Sequence, residues 1–176
     1  TTPDDPSQGS IKGAGEILNR IDASPASVSE MIHATTVATN AVIERKGAKI
    51  GLLTTKGFRD TLEIGREARY DIYDLNLRMP EPLVPRARRL EVDERISADG
   101  EVLVPLDEKN AAKAIANLVE KHKIEALAIC LLNGFAYPQH ERHLVDIAQA
   151  IYPDLIISVS HQVAGEIREY ERSSTT

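Results

Sequence analysis

Several residue types are scarce in this chain of 176 residues, which has no tryptophan, one cysteine and only 4% aromatic residues. A single cysteine excludes a disulfide framework within the chain. Cys130 lies in the apolar run ALAICLLNGF, and we expect it to be buried and reduced. Because aromatics are few, alanine, isoleucine, leucine and valine must fill the core.

Long apolar runs are also absent. No stretch approaches the roughly 18 consecutive apolar residues that a membrane-spanning helix needs, and no secretory signal opens the sequence. The net charge of -6 argues against a general nucleic-acid binder. We therefore expect a cytoplasmic protein that binds neither membrane nor nucleic acid, although a local pocket for an anionic ligand remains compatible with this charge.

The composition, 42% hydrophobic and 27% charged, is that of a globular domain with a real core. Asp5 is placed to cap a first helix, with Pro6 at its first position and Gln8 as the capping-box partner. Helical spacing predicts a buried stripe on this helix, formed by Ile11, Ala14, Leu18 and Ile21.

Strand and helix patterns then alternate, which predicts an α/β fold with a largely parallel sheet and crossover helices. The predicted strands are 28–34, 48–55, 124–135 and 155–163. Helices are predicted over 36–46 and 58–66. A third helix is predicted after Asp107, with the inward residues Ala111, Ile115, Leu118 and Val119. A fourth is predicted after Pro138, with the inward residues Leu144, Ile147, Ala148 and Ile151.

The middle of the chain, residues 66–106, has four prolines, many charges and no helical period. Two β segments, 88–96 and 101–106, flank the sequence SADG, which is typical of a hairpin turn. We expect this stretch to be an irregular, β-containing subdomain to one side of the main sheet.

The segment HATTVATN crowds small polar residues into the start of a helix, where one capping threonine would suffice. Unpaired amide groups and the helix dipole at that point suit a phosphate or carboxylate. The candidate ligand contacts are Thr35, Thr36, Thr39 and Asn40; the alternative is an ordinary cap followed by small residues for close packing. His33, just before them, is either a ligand contact or a packed histidine.

Other polar clusters are weaker candidates. Arg66 and Arg69 follow a short helix and either contact an anion or face solvent. His140 and His143, in HERH, have metal-ligand spacing, but no third ligand is evident nearby, so we predict a surface helix without a metal site. No pair of a nucleophile and a base is apparent, so the sequence assigns no catalytic residue.

The motifs themselves resemble a known family. HATTVATNAVIERKGAKIGLLTTKGFRDTLEIGRE, YDIYDL, PLVPR, ERI, REYERSSTT and the opening TTPDDPSQG are similar to the amino-terminal region of the hydantoinase A/5-oxoprolinase family. That family includes ATP-dependent N-methylhydantoinases, 5-oxoprolinases and related acetone carboxylase subunits. The resemblance covers nearly the whole of 1–176, in order.

The resemblance implies an actin-like ATPase fold built on ribonuclease H-like sheets, with ATP and Mg²⁺ used by the full-length enzyme. It implies a cyclic-amide substrate, a hydantoinase B-type partner subunit or domain, and a second ATPase half of the same chain. The family's Asp-x-Gly-Gly-Thr phosphate loops do not occur here. We therefore expect an excised amino-terminal domain of a longer enzyme, inactive alone and without a tightly bound nucleotide.

Within the REYER motif, the resemblance makes Glu169 and Arg172 candidates for substrate or phosphate contact; without it, a solvated, salt-bridged helix face would be the simpler interpretation. The sequence departs from the family pattern at Ala34, Gly165 and Ser173, where glycine, proline and threonine are usual. Two further functions stay open: a domain of an acetone-carboxylase-type ligase, and a non-catalytic scaffold of the same fold.

Overall fold

The computed structural model describes residues 5–32, 34–68 and 71–176. The chain divides into two compact units, residues 1–44 and 45–176, and each is described by itself.

The first unit contains helix α1 (Pro6–Arg20), a 3₁₀ turn (Pro25–Ser27) and helix α2 (Val37–Ile43). Helix α1 begins as predicted, since the Asp5 carboxylate accepts hydrogen bonds from the Ser7 amide at 3.0 Å and the Gln8 side chain at 3.1 Å. The predicted buried stripe is wrong, because Ile11 and Ile21 are 70% and 66% exposed. Helical spacing identifies an apolar face but not what covers it.

The strand predicted over 28–34 is also wrong, because the described residues 28–32 and 34 lie in no strand. A strand needs a hydrogen-bonded neighbour, and no other strand is found among the described residues of this unit. Helix α2 is shorter than the predicted 36–46: it ends at Ile43, and Arg45 has a left-handed φ of 54°.

The second unit alternates strands and helices. Its strands are β1 (Ile50–Thr55), β2 (Arg89–Val92), β3 (Arg95–Ile96), β4 (Val102–Val104), β5 (Ala126–Cys130) and β6 (Ile156–Val159). Its α-helices are α3 (Thr61–Ile64), α4 (Glu108–Ala116), α5 (Gln139–Ile151), α6 (Ser160–Val163) and α7 (Glu169–Thr175). A 3₁₀ turn (Arg86–Arg88) precedes β2, and a π-helical turn (Asn117–Lys121) extends α4.

The main sheet has the strand order β2-β1-β5-β6, and every pairing in it is parallel. Leu53 of β1 lies opposite Leu90 on one side and Ile129 on the other. The α/β prediction with a parallel sheet is confirmed, and the predicted strands near 50, 126 and 156 share that sheet.

Several predicted elements are shorter in the structure, and one lies elsewhere than predicted. Part of 66–106 does not stand to one side, because Arg89–Val92 pairs with β1 as an edge strand of the main sheet; its delimitation as a subdomain stays a prediction. The SADG hairpin is confirmed by the antiparallel pairing of β3 with β4. The last predicted strand, 155–163, ends at Val159, where α6 begins.

Hydrophobic clusters cover both faces of the main sheet. Helix α4, its π-helical extension and helix α5 cover one face with the predicted Ala111, Ile115, Leu118, Leu144 and Ala148, all fully buried, although Ile151 is 44% exposed. The other face buries Leu52, Val84, Ala128 and Cys130. Cys130 is free and buried, as predicted. Burial also raises the pKa of its thiol, which keeps it protonated.

Among the described residues, no helix is both long and apolar enough to cross a membrane.

Leu53 provides a test of this core, because it is 0% exposed in a central strand whereas Leu75 is 92% exposed. Leu53→Ala should lower the free energy of unfolding by about 3 kcal/mol, through lost burial and a residual cavity. Urea denaturation monitored by circular dichroism measures this loss. The matched control, Leu75→Ala, should change stability by less than about 0.5 kcal/mol. Equal losses would contradict this sheet assignment.

Candidate functional site

The carboxyl ends of the parallel strands carry a group of buried polar side chains. From β1 the chain passes to β2 on one side of β1 and later to β5 on the other side of β1. A crevice is therefore expected outside the carboxyl ends of β1 and β5. Thr55 ends β1, Glu94 follows β2, and Ser160 follows β6; each is fully or almost fully buried. Open parallel sheets bind ligands at this edge.

A buried carboxylate, Glu141 near the start of α5, joins these strand ends. It accepts hydrogen bonds from the Leu131 amide at 2.9 Å and the Ser160 hydroxyl at 2.5 Å. It also accepts from the His161 amide at 3.1 Å and bonds to His161 Nδ1 at 2.7 Å. Four donors therefore converge on one side chain that is 0% exposed, which fixes the end of β5 relative to α6.

Space around this carboxylate is tight. A Cβ added at Gly134 would lie 2.6 Å from Glu141 Oε1 and 3.1 Å from the Leu131 carbonyl oxygen. Because Glu141 is held by four partners, it has little freedom to move aside. The loop after β5 therefore requires glycine at this position.

Arg172 of α7 extends the same network, and it is only 1% exposed. Its guanidinium donates to the Ser160 hydroxyl at 3.2 Å, the Leu131 carbonyl at 2.8 Å and the Glu166 carbonyl at 2.9 Å. It also lies 5.5 Å from the centre of the Phe135 ring. These contacts position α7 against the sheet, while the predicted contact of Arg172 with a substrate or phosphate stays a prediction.

A second buried carboxylate, Glu94, lies beside the first network. Its Oε1 accepts a short hydrogen bond from the Thr55 hydroxyl, and its Oε2 lies 2.7 Å from His140 Nδ1. The same hydroxyl accepts from the Leu132 amide at 2.9 Å. Because His140 and Glu141 are adjacent, the start of α5 contributes to both networks.

The predicted surface position of HERH holds for Arg142 and His143, which are exposed, but is wrong for His140 and Glu141, which are buried. His140 contacts Glu94, whereas His143 lies 3.3 Å from Glu108, so the two imidazoles have separate partners. No group of three or more histidine, cysteine, aspartate or glutamate side chains suited to a metal ion is found in the described part of the chain.

Two adjoining cavities, of about 660 and 550 Å³, lie between α3 and α7 and are called here the α3–α7 cleft. Both are lined by Gly65, Arg66, Tyr170 and Glu171, and the smaller also by Arg168 and Glu169. Arg66 Nε donates to Glu171 at 2.7 Å. The cleft therefore brings together the REYER motif and the segment that ends in Arg66, which are more than 100 positions apart in sequence.

A buried arginine supports one wall of this cleft. Arg89, 0% exposed, donates to the Val84 carbonyl at 2.8 Å and forms two hydrogen bonds with the carboxylate of Glu63, which lines the larger cavity. Its hydrogen bonds lower the pKa of Glu63.

The structure places the predicted site residues in different settings. Arg66 and Glu169 line the cleft. The exposed Thr35, Thr36, Thr39 and Asn40 lie at the start of α2 in the first unit. The Thr35 hydroxyl accepts from the Val37 amide at 3.3 Å, and Asn40 donates to the Thr36 hydroxyl at 3.4 Å. His33 and Arg69 lie outside the described residues. The ligand contacts of this set stay predictions.

Sequence reasoning missed Glu94, Glu141, Ser160 and His161. Glu94 and Glu141 are charged residues whose local sequence looks solvent-facing. Position gave no usable signal either, because Glu94 and Ser160 lie within the predicted strands 88–96 and 155–163, and only the observed ends of these strands at Val92 and Val159 place both residues at the carboxyl edge of the sheet.

Comparison with known proteins agrees with the sequence motifs. Residues 1–152 match the model of the hydantoinase/oxoprolinase N-terminal region. The chain belongs to this family.

Named relatives of this family member are enzymes. It is 35% identical to the caprolactamase subunit alpha of Pseudomonas jessenii over the whole chain, and 35% identical to the acetophenone carboxylase gamma subunit of Aromatoleum aromaticum over 91% of it. It is 38% identical to 5-oxoprolinase 1 of Arabidopsis thaliana over 65% of the chain. It spans 26%, 22% and 10% of these relatives, about a quarter of their length or less.

Solved structures show the same fold. The crystal structure of the ATP-dependent caprolactamase from Pseudomonas jessenii matches all of the chain with a TM-score of 0.87 and 35% identity, over 26% of that protein. A nucleotide-free acetone carboxylase matches 78% of the chain with a TM-score of 0.71 and 30% identity, over 21% of that protein.

The Glu141 network leads to a stability prediction. Glu141→Gln keeps the size but places an amide NH₂ among hydrogen-bond donors, so the free energy of unfolding should fall by about 2–4 kcal/mol. Urea denaturation measures it. The matched control is Glu108→Gln, because Glu108 is an exposed residue that pairs with His143. This change should lower the free energy of unfolding by less than about 1 kcal/mol. An equal effect at both sites would show that the network stabilises nothing.

A second prediction concerns acid stability. Arg89 lowers the pKa of Glu63 in the folded state. The ionised Glu63 therefore stabilises the fold above the ordinary glutamate pKa of about 4.3, and this stabilisation is lost as the pH falls through the lower pKa of the folded state. The difference in unfolding free energy between wild type and Glu63→Gln should therefore shrink below pH ~4.3. Urea titrations from neutral to acid pH measure it, with Glu101→Gln as the exposed control. If the difference in unfolding free energy between the two proteins stays constant with pH, the lowered pKa of Glu63 is contradicted.

Proposed function

We propose that this chain is the amino-terminal domain of an ATP-dependent cyclic-amide hydrolase, of the hydantoinase/5-oxoprolinase type, that opens a hydantoin or lactam ring. The observation that carries the proposal is the match of the entire chain to the ATP-dependent caprolactamase structure. Sequence identity of 35% with the alpha subunit of that enzyme supports it.

The α3–α7 cleft supports a role for the second unit in binding. Arg66 and Arg168 provide cationic groups, Glu169 and Glu171 provide carboxylates, and Tyr170 provides an aromatic wall. Such a mixture suits a small ligand with polar and apolar parts. We assign Arg66 and Glu169 to contact with substrate or phosphate, with Arg172 holding α7 in place from behind through its buried hydrogen bonds.

In the first unit, Thr35, Thr36, Thr39 and Asn40 would contribute hydroxyl and amide groups to a phosphate or to the substrate, together with His33. Bound ATP would supply the phosphoryl group that activates the resonance-stabilised ring carbonyl toward water. The described residues do not form a carboxylate cluster for Mg²⁺, so this part of the chain is not assigned as its holder. An actin-like ATPase architecture, with a second half completing the nucleotide site, is part of the proposal.

Partners follow from the same relationship. The caprolactamase and acetophenone carboxylase relatives are named as subunits, which supports a partner subunit, and we propose one of hydantoinase B type. A cytoplasmic location is likewise part of the proposal.

The second candidate is a domain of an acetone-carboxylase-type ligase. The 35% identity with the acetophenone carboxylase gamma subunit and the acetone carboxylase match favour it. The hydrolase is preferred because the caprolactamase match covers the whole chain, with a TM-score of 0.87 against 0.71. A non-catalytic scaffold is the third possibility, and measurable turnover would exclude it.

The test uses the longest gene product that contains this chain, produced with any adjacent subunit. With Mg·ATP, it should release phosphate and ring-opened product in equal amounts from caprolactam, 5-oxoproline or hydantoin. Phosphate release that depends on a ketone and bicarbonate, without ring opening, would favour the carboxylase. No ATP turnover with either class of substrate would favour the scaffold.

Variants in the same assay test the threonine turn. Thr36→Val should lower turnover about tenfold or more through the loss of a hydrogen bond to a charged group, with little change in stability. Ser27→Ala, which removes another exposed hydroxyl of the first unit, should leave turnover unchanged. Equal turnover in all three proteins would reduce Thr36 to an ordinary cap residue.

A further inference from the structure

A separate cavity of about 500 Å³ lies between α5, the edge strand β6 and α6. None of its lining residues lines the α3–α7 cleft. Its apolar wall consists of Val145, Ile157 and Val159, and its polar groups include Arg142, Asp146 and His161.

His161 is held rigidly at this cavity. Its Nδ1 lies 2.7 Å from Glu141 Oε2, and its amide donates to the same oxygen at 3.1 Å. Because the carboxylate can only accept, Nδ1 carries the proton of this hydrogen bond, and in the neutral ring Nε2 carries a lone pair. The orientation and tautomer of this imidazole are therefore set by a buried group outside the cavity.

The Nε2 atom of His161 remains for a ligand. The side chain is only 9% exposed, and Nε2 makes no hydrogen bond with any described residue. Since Nδ1 faces the buried Glu141, Nε2 at the other side of the ring is directed toward the cavity that the residue lines. His161 Nε2 is not among the buried atoms that lack a partner, so it is accessible from the cavity and free to accept a hydrogen bond from a ligand.

Arg142 and Asp146 add opposite charges to the same cavity. They lie four positions apart on α5, so their Cβ atoms are separated by about 6 Å, one helical turn. In the described part of the chain, neither side chain forms a hydrogen bond or an ion pair, even with the other. A cation and an anion are thus presented separately, next to an acceptor and an apolar wall.

We propose that this cavity binds a small ω-amino acid. The ligand carboxylate pairs with the Arg142 guanidinium, its ammonium donates to Asp146 and to His161 Nε2, and its methylene chain lies against Val145, Ile157 and Val159. Charges about one helical turn apart fit an ω-amino acid better than an α-amino acid, in which the two groups are attached to one carbon. Glu141 acts as a positioning residue, because it fixes His161 without lining the cavity.

The inference does not depend on the proposed function, since it concerns binding to this chain alone. Opening of a simple lactam yields an ω-amino acid, so the two proposals would connect if both hold. Failure of one leaves the other standing, because binding is measured without ATP and without turnover.

The experiment is an NMR titration of the 176-residue chain with ¹⁵N-labelled histidine, using 4-aminobutyrate and 6-aminohexanoate as probes. The His161 Nε2 resonance should move saturably with at least one of them. Glycine, butylamine and butyrate should each bind at least tenfold more weakly. His143, which pairs with Glu108 outside the cavity, is an internal control whose resonances should stay in place.

Variants decide between specific and non-specific effects. Arg142→Gln and Asp146→Asn alter exposed side chains, so they should fold normally, yet each should weaken binding at least tenfold. Lys109→Gln, an exposed cation on α4, should leave binding unchanged. The proposal is overturned if no ω-amino acid shifts Nε2, if butyrate or butylamine alone gives the same shift, or if the two variants bind as wild type does.

Discussion

The second unit depends on one buried carboxylate. Glu141 receives donors from the end of β5, the start of α6 and His161, and through Ser160 it is linked to Arg172 of α7. A buried carboxylate is tolerated only when its oxygens are filled by hydrogen bonds. The need to fill them therefore determines where the end of β5, the start of α6 and helix α7 lie, and helix α7 forms one wall of the α3–α7 cleft.

Much of this fold was predictable, because each main-sheet element carries its own pattern. The continuous apolar run around Ile129 predicts a strand buried on both faces, and the stripe containing Ile115 predicts the helix that covers it; both are confirmed. The exceptions have a common cause. The stripe of α1, the segment 28–34 and the edge strand at Arg89–Val92 depend on which neighbour each meets, and local periodicity carries no information about partners.

The candidate site was less predictable from physical reasoning. Arg66 and Glu169 belong to separate motifs, and only the folded chain shows that both line one cleft. The sequence gives no sign of the role of Glu141, because a glutamate between a histidine and an arginine resembles a solvent-facing residue until its four donors are known. Hydrogen bonds that join residues 131, 160 and 172 have no signature in any single stretch of sequence.

The tight contact between Gly134 and Glu141 has an evolutionary consequence. Any side chain at position 134 would overlap the carboxylate. A shorter side chain at position 141 would leave the surrounding donors without an acceptor. Neither position can therefore drift alone. Homologues that depart from this arrangement should do so at both positions together, so the loop after β5 and the start of α5 should diverge as one inherited unit.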